Sequence, residues 1–336
     1  MNETILKTNQ LMTPAEVKEL ILQGNALVLS GEENLLKELP RGNWIGGTIP
    51  YFYLQGQNGR MDKEHIFVTN FSDHITDSEI RTYNNDDISN VCLKGFDNGF
   101  HFIILPALQK IHLNFALNAP SFPNLMDNPL VGLIAGADLD EFSKGKLARV
   151  FNGATGKMYS DEAVVLHASL PPGKVARLEI INVFEPDATY SIEVPEDTFT
   201  VADCIINGKV ENLHDFIIRN KIDIYYPLIA DYAGAKINTS FQRLNAEKHQ
   251  VVFYGPLFKG KTYYFAKPVQ SYAHAFEQKI KTTMSNENQL IFNCNCILNY
   301  MYGELDKNDI GFSGPTTFGE VAYNLLNQTF TYLTID

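Results

Sequence analysis

The spacing of hydrophobic and polar residues along the chain predicts both helices and strands. Residues 13–24, TPAEVKELILQG, place three apolar side chains on one face and predict an amphipathic helix. Thr13 and Glu16 have the spacing of a capping box at its start. Shorter apolar runs predict strands, and these lie at 26–31, 65–71, 101–108, 130–137, 148–157, 162–170 and 177–184.

Two stretches of the N-terminal half lack a clear period. Residues 72–98 are polar and are predicted to form a surface excursion, and residues 109–128 are rich in Asn and Pro and are predicted to be irregular. A boundary near Pro186 divides the chain into predicted domains 1–186 and 187–336. Beyond it, the pattern predicts helices at 211–220, 272–284 and 297–305, and strands at 289–296 and 328–335.

Two segments at opposite ends of the chain share an order of elements. The first runs from the strand at 26–31 through a short helix to a Gly/Thr corner at 45–48, and a further strand follows. The second runs from the strand at 289–296 through a short helix to a Gly/Thr corner at 313–317, again with a strand after it. This shared order has two explanations. The two segments belong to related lobes, or they are alike only because any strand–helix–strand unit needs a glycine corner. The predicted fold is α/β (α+β), with two related lobes of mixed, largely antiparallel sheets flanked by helices.

Charge and cysteine content narrow the class of protein. The formal net charge is −12, with 27 Lys and Arg against 39 Asp and Glu, which argues against nucleic acid and against an anionic membrane as partners. The N-terminus has no secretion signal, and no apolar run reaches the ~20 residues of a membrane span. Four cysteines are too few for a disulfide scaffold. Together these features predict a reduced, cytoplasmic protein.

The C-terminal segment carries a family resemblance. Residues 311–335, GFSGPTTFGEVAYNLLNQTFTYLTI, contain TFGE followed by an N-x-T strand and resemble the end of the FIST sensory domain. Residues 150–170 are similar to a hairpin and strand in that family's N-terminal half, and residues 207–220 with 253–268 are similar to its C-terminal half. The resemblance implies a bacterial, non-enzymatic protein that binds a small molecule between or within its lobes. It also implies a separate signalling protein as partner.

Six residues are candidates for the ligand site. If the two Gly/Thr corners face each other, their bare backbone leaves room for a ligand, with a few polar groups among apolar walls. The candidates are Trp44, Gly47, Thr48, Tyr51, Thr317 and Glu320. A carboxylate at Glu320 favours an amino-bearing, amino-acid-like ligand, whereas its structural alternative is a cap or a surface acid. Gly47 alternatively admits a neighbouring strand.

No catalytic residue, cofactor or metal site is assigned from the sequence. Cys294 and Cys296 form either a metal or redox pair or two inert thiols, and the second is favoured because no other paired Cys/His motif exists. Phosphate-loop, hydrolase-elbow and zinc-helix motifs are absent from the sequence. One alternative is a hydrolase or transferase using Glu320 with Thr317 or Cys294. A third hypothesis is a scaffold that binds protein through exposed aromatics such as Phe52 and Tyr53.

Overall fold

The computed structural model describes residues 9–232, 234–283 and 290–336. The fold class is α+β, as predicted. The predicted helix end at residue 284 and the predicted strand start at residue 289 lie outside the described residues. Within the described ranges, none of the helices combines the length and apolar character needed to cross a membrane.

The first three sheets have six strands each, and the strands follow here in spatial order. The first sheet contains β1 (Asn9–Met12), β6 (Ile66–Asn70), β2 (Leu27–Gly31), β3 (Trp44–Thr48), β10 (Val150–Asn152) and β11 (Lys157–Tyr159). The second contains β7 (Asp77–Tyr83), β12 (Ala163–Ser169), β8 (Gly99–Pro106), β9 (Leu130–Ala135), β25 (Glu320–Ala322) and β26 (Asn324–Leu326). The third contains β13 (Ala176–Ile181), β27 (Phe330–Ile335), β23 (Leu290–Cys296), β24 (Gly314–Thr317), β4 (Tyr51–Tyr53) and β5 (Arg60–Met61).

The helices of the described chain are short. They are α1 (Pro14–Leu22), α2 (Glu33–Leu36), α3 (Lys110–Asn118), α4 (Leu139–Ser143), α5 (Leu213–Asn220), α6 (Tyr272–Thr283) and α7 (Ile297–Tyr302), with 3-10 turns at Ile88–Leu93 and Ala119–Ser121. The capping box predicted for α1 is present, because the Thr13 side chain accepts from the Glu16 backbone N–H and Glu16 accepts from the Thr13 backbone N–H.

These three sheets share one connectivity. Each is built on two adjacent parallel strands joined through a helix: β2 and β3 through α2, β8 and β9 through α3, and β23 and β24 through α7. The first strand of each parallel pair has an antiparallel strand on its other side, and a second antiparallel strand lies beyond that one. In each sheet these two are the last and the first strand of the same chain segment: β6 and β1, β12 and β7, and β27 and β13. The chain therefore contains three copies of one unit, at 9–70, 77–169 and 176–335. The two similar ends of the sequence are the first and third copies.

Each copy donates a hairpin to the sheet of another copy. The β4–β5 hairpin follows β3 along the chain but pairs with β24 of the third sheet. Likewise β10–β11 follows β9 but pairs with β3, and β25–β26 follows β24 but pairs with β9. The exchange is cyclic, so none of the three sheets is completed by its own copy. Two of them take strands from both sides of residue 186.

The third copy carries an insertion that begins at Pro186, the predicted boundary. The insertion forms the fourth and fifth sheets of the molecule. The fourth sheet contains β17 (Lys209–Asn212), β16 (Asp203–Ile206), β14 (Pro186–Glu193), β22 (Tyr263–Ala266), β18 (Leu228–Tyr232) and β19 (Ala235–Thr239). The fifth sheet contains β15 (Thr198–Val201), β21 (Gln250–Leu257) and β20 (Phe241–Asn245). Together with α5, these sheets enclose a hydrophobic cluster of their own.

The largest hydrophobic cluster joins the first three sheets. Phe102 of the second sheet meets Phe292 of the third edge-on, with 4.7 Å between ring centroids. Phe52, on the donated strand β4, stacks on Phe67 of the first sheet at 5.9 Å. Burying each such ring stabilises the fold by about 1.5–3 kcal/mol. The donated hairpin is therefore fixed by core packing as well as by strand pairing.

Two sequence expectations are wrong in the described structure. Residues 109–128 are not irregular throughout, because α3 buries Ile111, His112, Phe115 and Ala116 at helical spacing. Phe52 and Tyr53 are not exposed either, since both lie in the core, and a docking surface built on them is excluded. The polar segment 72–98 is partly at the surface, with β7 as an edge strand of the second sheet.

Candidate functional site

Trp44 lies in the core of the first copy, at the start of β3. Its indole N–H donates to the Pro40 carbonyl at 2.8 Å, and its ring stacks on Phe151. A Cβ added at Gly153 would lie 2.5 Å from the indole, so the backbone passes directly over the ring. The hydrogen bond and the close backbone give Trp44 a structural role.

Gly47 and Thr48 pack against the end of β9. A Cβ added at Gly47 would lie 2.9 Å from Ile104 and 3.1 Å from Ala135, so this glycine admits a neighbouring sheet. The Thr48 hydroxyl donates to the Gly136 carbonyl at 2.5 Å and accepts from the Arg149 backbone N–H at 2.9 Å. Both of its hydrogen-bonding roles are thereby used within the fold.

The two Gly/Thr corners border the same short segment. Gly136 donates its N–H to the Thr48 carbonyl at 2.8 Å, and a Cβ added at Gly136 would lie 1.9 Å from the Phe318 ring. Ile134 exchanges backbone hydrogen bonds with Phe318 and Gly319. Residues 134–136 therefore fill the space between the corners with backbone.

Glu320 and Thr317 come together in a closed polar cluster with the two C-terminal cysteines. All four residues are fully buried. The Thr329 hydroxyl donates to Glu320 Oε1 at 3.2 Å, and Oε2 has no partner among the described residues. The Thr317 hydroxyl donates to the Gly319 carbonyl at 2.8 Å.

Burial controls the ionisation of this cluster. It raises the pKa of the Glu320 carboxyl well above its usual range, and it raises the pKa of the Cys294 and Cys296 thiols likewise. Burial thus favours the neutral form of all three groups. With pKa values raised from an already high starting value, the two thiols offer no thiolate nucleophile at neutral pH.

The apolar pocket lies where four parallel strands of the second and third sheets end. Residues directly after β8, β23 and β24 line it, together with α4, which follows β9. Its walls are Ala107, Leu108, His112, Leu139, Phe142, Tyr254, Ile297, Leu298, Met301, Phe318 and Asn327, and it encloses about 100 Å³. In open α/β sheets, ligands bind in the crevice beyond the carboxyl ends of such strands.

Tyr51 contacts residues that line this pocket. Its hydroxyl accepts from the Leu139 backbone N–H at 2.9 Å, and its ring belongs to the cluster that contains Ile297 and Leu298. Tyr51 therefore supports the wall from behind and fixes the start of α4. None of the six predicted residues lines the pocket itself.

His112 gives the pocket lining a neutral imidazole. Its Nδ1 accepts the Leu108 backbone N–H at 3.0 Å, which puts the ring proton on Nε2. Burial lowers the pKa of His112 to about 4, so the ring is neutral at pH 7. Nε2 is buried without a partner among the described residues. An unmet donor of this kind is a candidate anchor for an acceptor oxygen.

Leu108 has an unusual backbone conformation at the pocket. Its φ is +58°, which costs a large L-residue roughly 1 kcal/mol or more. The strained turn points the Leu108 N–H at His112 and lets the Leu108 side chain line the pocket. Strain of this type clusters at binding sites, where the surrounding structure maintains it.

A second depression, the charged cleft, lies across α4 from the apolar pocket. It encloses about 350 Å³ and is lined by Glu32, Glu33, Asn34, Lys37, Lys63, Glu141 and Lys146. Lys146 bridges Glu32 at 3.2 Å and Glu141 at 2.5 Å, and Lys63 bridges Asp138 at 3.0 Å. The charges in the cleft largely neutralise one another.

Sequence reasoning missed the residues that line the apolar pocket. Residues 109–128 are predicted to be irregular, although Ile111 and Phe115 have the i, i+4 spacing of a helix face. The order strand, helix, parallel strand at 99–135 repeats the order at both chain ends. This third occurrence of the order is the sequence signal that identifies α3 and the strand end beside the pocket.

Family comparison gives one result. No curated protein is significantly similar to the chain. A model described as "Family of unknown function (DUF6976)" matches residues 12–336, a span that begins at the end of β1 and continues through the three copies and the insertion. The resemblance to the FIST domain stays a prediction. Because the family model covers nearly the whole sequence, the chain belongs to the DUF6976 family.

Proposed function

We propose that this protein binds a small, largely apolar molecule carrying one acceptor oxygen, with its apolar part in the apolar pocket. The observation that carries the proposal is the pocket's position and chemistry: apolar walls at the ends of parallel strands, with the unmet Nε2–H of His112 in its lining. Small-molecule sites have this mixture of apolar surface and few polar anchors.

The volume of the pocket supports a small ligand or one end of a longer one. An apolar cavity of about 150 Å³ holds a benzene molecule. By that scale the apolar pocket, at about 100 Å³, takes a group of roughly four heavy atoms. The pocket is only partly enclosed, so the rest of a larger ligand can extend past Met301, which is half exposed.

The lining favours a neutral ligand over an amino-bearing one. No Asp or Glu lines the pocket, and Glu320 is sealed in the core. A buried ammonium group without a carboxylate partner is strongly disfavoured. A carbonyl, by contrast, accepts the His112 Nε2–H once a small shift of the lining uncovers it.

A sensory role would follow if a separate protein reads the occupancy of the pocket. Helix α4 is the element through which we expect occupancy to be transmitted, because its Leu139 and Phe142 line the pocket while Glu141 faces the charged cleft.

The location we propose for the protein is the cytoplasm. All four cysteines are free thiols, as is usual in a reducing compartment.

The enzymatic alternative through Glu320 has less support. Glu320, Thr317 and Cys294 are fully buried, and burial raises the pKa of both the carboxyl and the thiol. A thiol nucleophile needs a lowered pKa instead, and a catalytic carboxyl or thiol needs a path to substrate. Binding without catalysis is therefore the function we retain.

Methyl-detected NMR with 2-butanone tests the proposal. This probe has five heavy atoms and one carbonyl, and we expect millimolar affinity from its size. Its addition should shift the methyl signals of Met301 and Ala107. Isobutylamine, an ammonium compound of the same size, should bind more weakly because the lining offers no carboxylate.

Two matched variants decide whether the shifts report this pocket. Met301→Trp places an indole at the mouth and should weaken 2-butanone binding about tenfold or more by steric exclusion. Met126→Trp makes the same change at an exposed methionine outside the pocket and should leave binding unchanged. The proposal fails if wild-type protein shows no saturable shifts, or if both variants bind like wild type.

A further inference from the structure

Three side chains of the insertion bring metal-ligating atoms together. His214 and Asp215 lie in the first turn of α5, and His249 lies in the turn between β20 and β21. One ligand atom from each residue lies within 4.8 Å of the others. Asp215 Oδ1 is 2.9 Å from His214 Nδ1 and 2.7 Å from His249 Nδ1, and these contacts lower the pKa of the Asp215 carboxyl.

The two elements are held in register by a fourth side chain. Asn212, the N-cap of α5, accepts the Asp215 backbone N–H through Oδ1 at 3.1 Å. Its Nδ2 donates to the His249 carbonyl at 3.1 Å. The φ of His249 is +47°, in the left-handed region that few non-glycine residues adopt. The backbone of both elements is therefore fixed before any ligand binds, which is how preorganised sites are built.

The separations match a coordination sphere. Bonds from a first-row metal to imidazole nitrogen and carboxylate oxygen are about 2.0–2.2 Å, so neighbouring ligands at right angles lie about 3 Å apart. The two nitrogen–oxygen distances of 2.9 and 2.7 Å are close to that value. In the absence of an ion, each Nδ1–H points at Oδ1. With an ion bound, each neutral ring carries its proton on Nε2 and presents the Nδ1 lone pair.

We propose that His214, Asp215 and His249 bind a divalent first-row transition metal ion. Two imidazoles and one carboxylate suit zinc, nickel or copper, whereas magnesium and calcium prefer sites made of oxygen ligands alone. The His214 side chain is 9% exposed, and those of Asp215 and His249 are 51% and 59% exposed. The ion is therefore reachable from solvent and keeps positions for water.

The ion serves as a clip within the insertion. It joins α5, which follows the fourth sheet's β17, to the turn of the fifth sheet's hairpin. The sequence separation between Asp215 and His249 is 34 residues, so the clip closes a long loop. Metal bound only by the folded state raises the stability of that state.

Zinc titration of the full chain tests the proposal. After tag removal and dialysis against EDTA, calorimetric titration with zinc chloride at neutral pH should give one ion per chain. Zinc should also raise the melting temperature. His249→Gly removes a ligand while accepting the positive φ, and it should weaken zinc binding at least about tenfold. Asp215→Asn should weaken it similarly, with folding checked by circular dichroism.

His274→Ala is the matched control. His274 is an exposed histidine on α6, and its ring is 3.8 Å from Glu277. This variant should bind zinc like wild type. The proposal is overturned if folded wild-type protein does not bind zinc at millimolar concentration. It is equally overturned if wild type, His249→Gly and His274→Ala bind zinc alike.

Discussion

The apolar pocket and the charged cleft lie on either side of one short helix and differ in the chemistry of the residues that line them. Helix α4 supplies Leu139 and Phe142 to the pocket and Glu141 to the cleft. The remaining pocket walls are aliphatic, aromatic or neutral polar, whereas the cleft is lined by carboxylates, ammonium groups and one amide. The first residues after β2, β8 and β23 thus supply Glu32 to one depression and Ala107 and Ile297 to the other.

The difference shows how one framework provides two chemistries. Side chains that follow the ends of parallel strands are freed from strand pairing, so their identity changes the local chemistry without changing the sheet. Among the residues that line the pocket, His112 Nε2 is the buried side-chain polar atom without a partner in the described structure. In the cleft, the pairs that Lys63 and Lys146 make with the partly exposed Glu141 are screened by solvent and contribute little stability. We therefore expect the apolar pocket to contribute ligand-binding energy and the charged cleft to contribute solubility.

The largest expected effect comes from Gly136, which packs against the ring of the pocket residue Phe318. Gly136→Ala should lower the free energy of unfolding by about 3 kcal/mol, because overpacking forces rearrangement and the new Cβ would lie 1.9 Å from Phe318. Urea denaturation measures the change. The double variant Gly136→Ala/Phe318→Ala should lose less than the sum of its single changes. A single variant that unfolds like wild type would show that this wall is not tightly packed.

An intermediate effect should appear at acid pH through His112. Its folded-state pKa of about 4 lies below the unfolded value of 6.5, so below pH 6.5 the unfolded chain takes up a proton that the folded chain does not. The free energy of unfolding should therefore fall by about 2 kcal/mol between pH 7 and pH 5 from this residue alone. His101 and His167, whose pKa values burial also lowers, add to the fall.

The variant His112→Asn isolates that contribution. The amide oxygen of the introduced asparagine can still accept the Leu108 N–H, so the turn is retained. Urea titrations across the pH range should show a shallower acid loss than in wild type, with only a constant offset above pH 7. Equal slopes in the two proteins would mean that His112 titrates normally and that the pocket wall is wet.

The smallest effect is expected in the charged cleft. Lys146→Met leaves Glu32, whose side chain is only 9% exposed, without its ammonium partner, and should lower the free energy of unfolding by about 1 kcal/mol. Lys307→Met removes a pair in which both side chains are more than 60% exposed and should have no measurable effect. Urea denaturation compares the two. A loss from Lys146→Met as large as that from Gly136→Ala would reverse the proposed contrast between cleft and pocket.

Local pattern predicted much of the fold and little of the site. The buried runs at 26–31 and 162–170 contain β2 and β12, and the run at 101–108 overlaps β8, because continuous apolar segments bounded by turns are strands in most folds. The similarity between the chain ends pointed to a repeated unit. The second copy was hidden, since Asn and Pro residues around 118–128 masked the helical face of Ile111 and Phe115.

The pairing of the hairpins could not be predicted from local pattern. Tyr51 and Phe52 form an apolar strand wherever they pair, and the choice of Pro315 as the partner of Phe52 depends on the whole assembly. The same reason hid the candidate site. His112 and Phe318 are more than 200 positions apart, and they share a pocket only because two sheets end side by side.

The cyclic exchange of hairpins also determines when the chain can complete its fold during synthesis. The hairpin at 51–61 has no partner strand until residues 314–317 have left the ribosome. The first sheet lacks its outer strands until residue 159 is made, and the second lacks its own until residue 326 is made. Nascent chains of this protein therefore carry an apolar, unpaired strand through nearly all of translation, which leaves that hairpin open to chaperones and to aggregation until the last strands emerge.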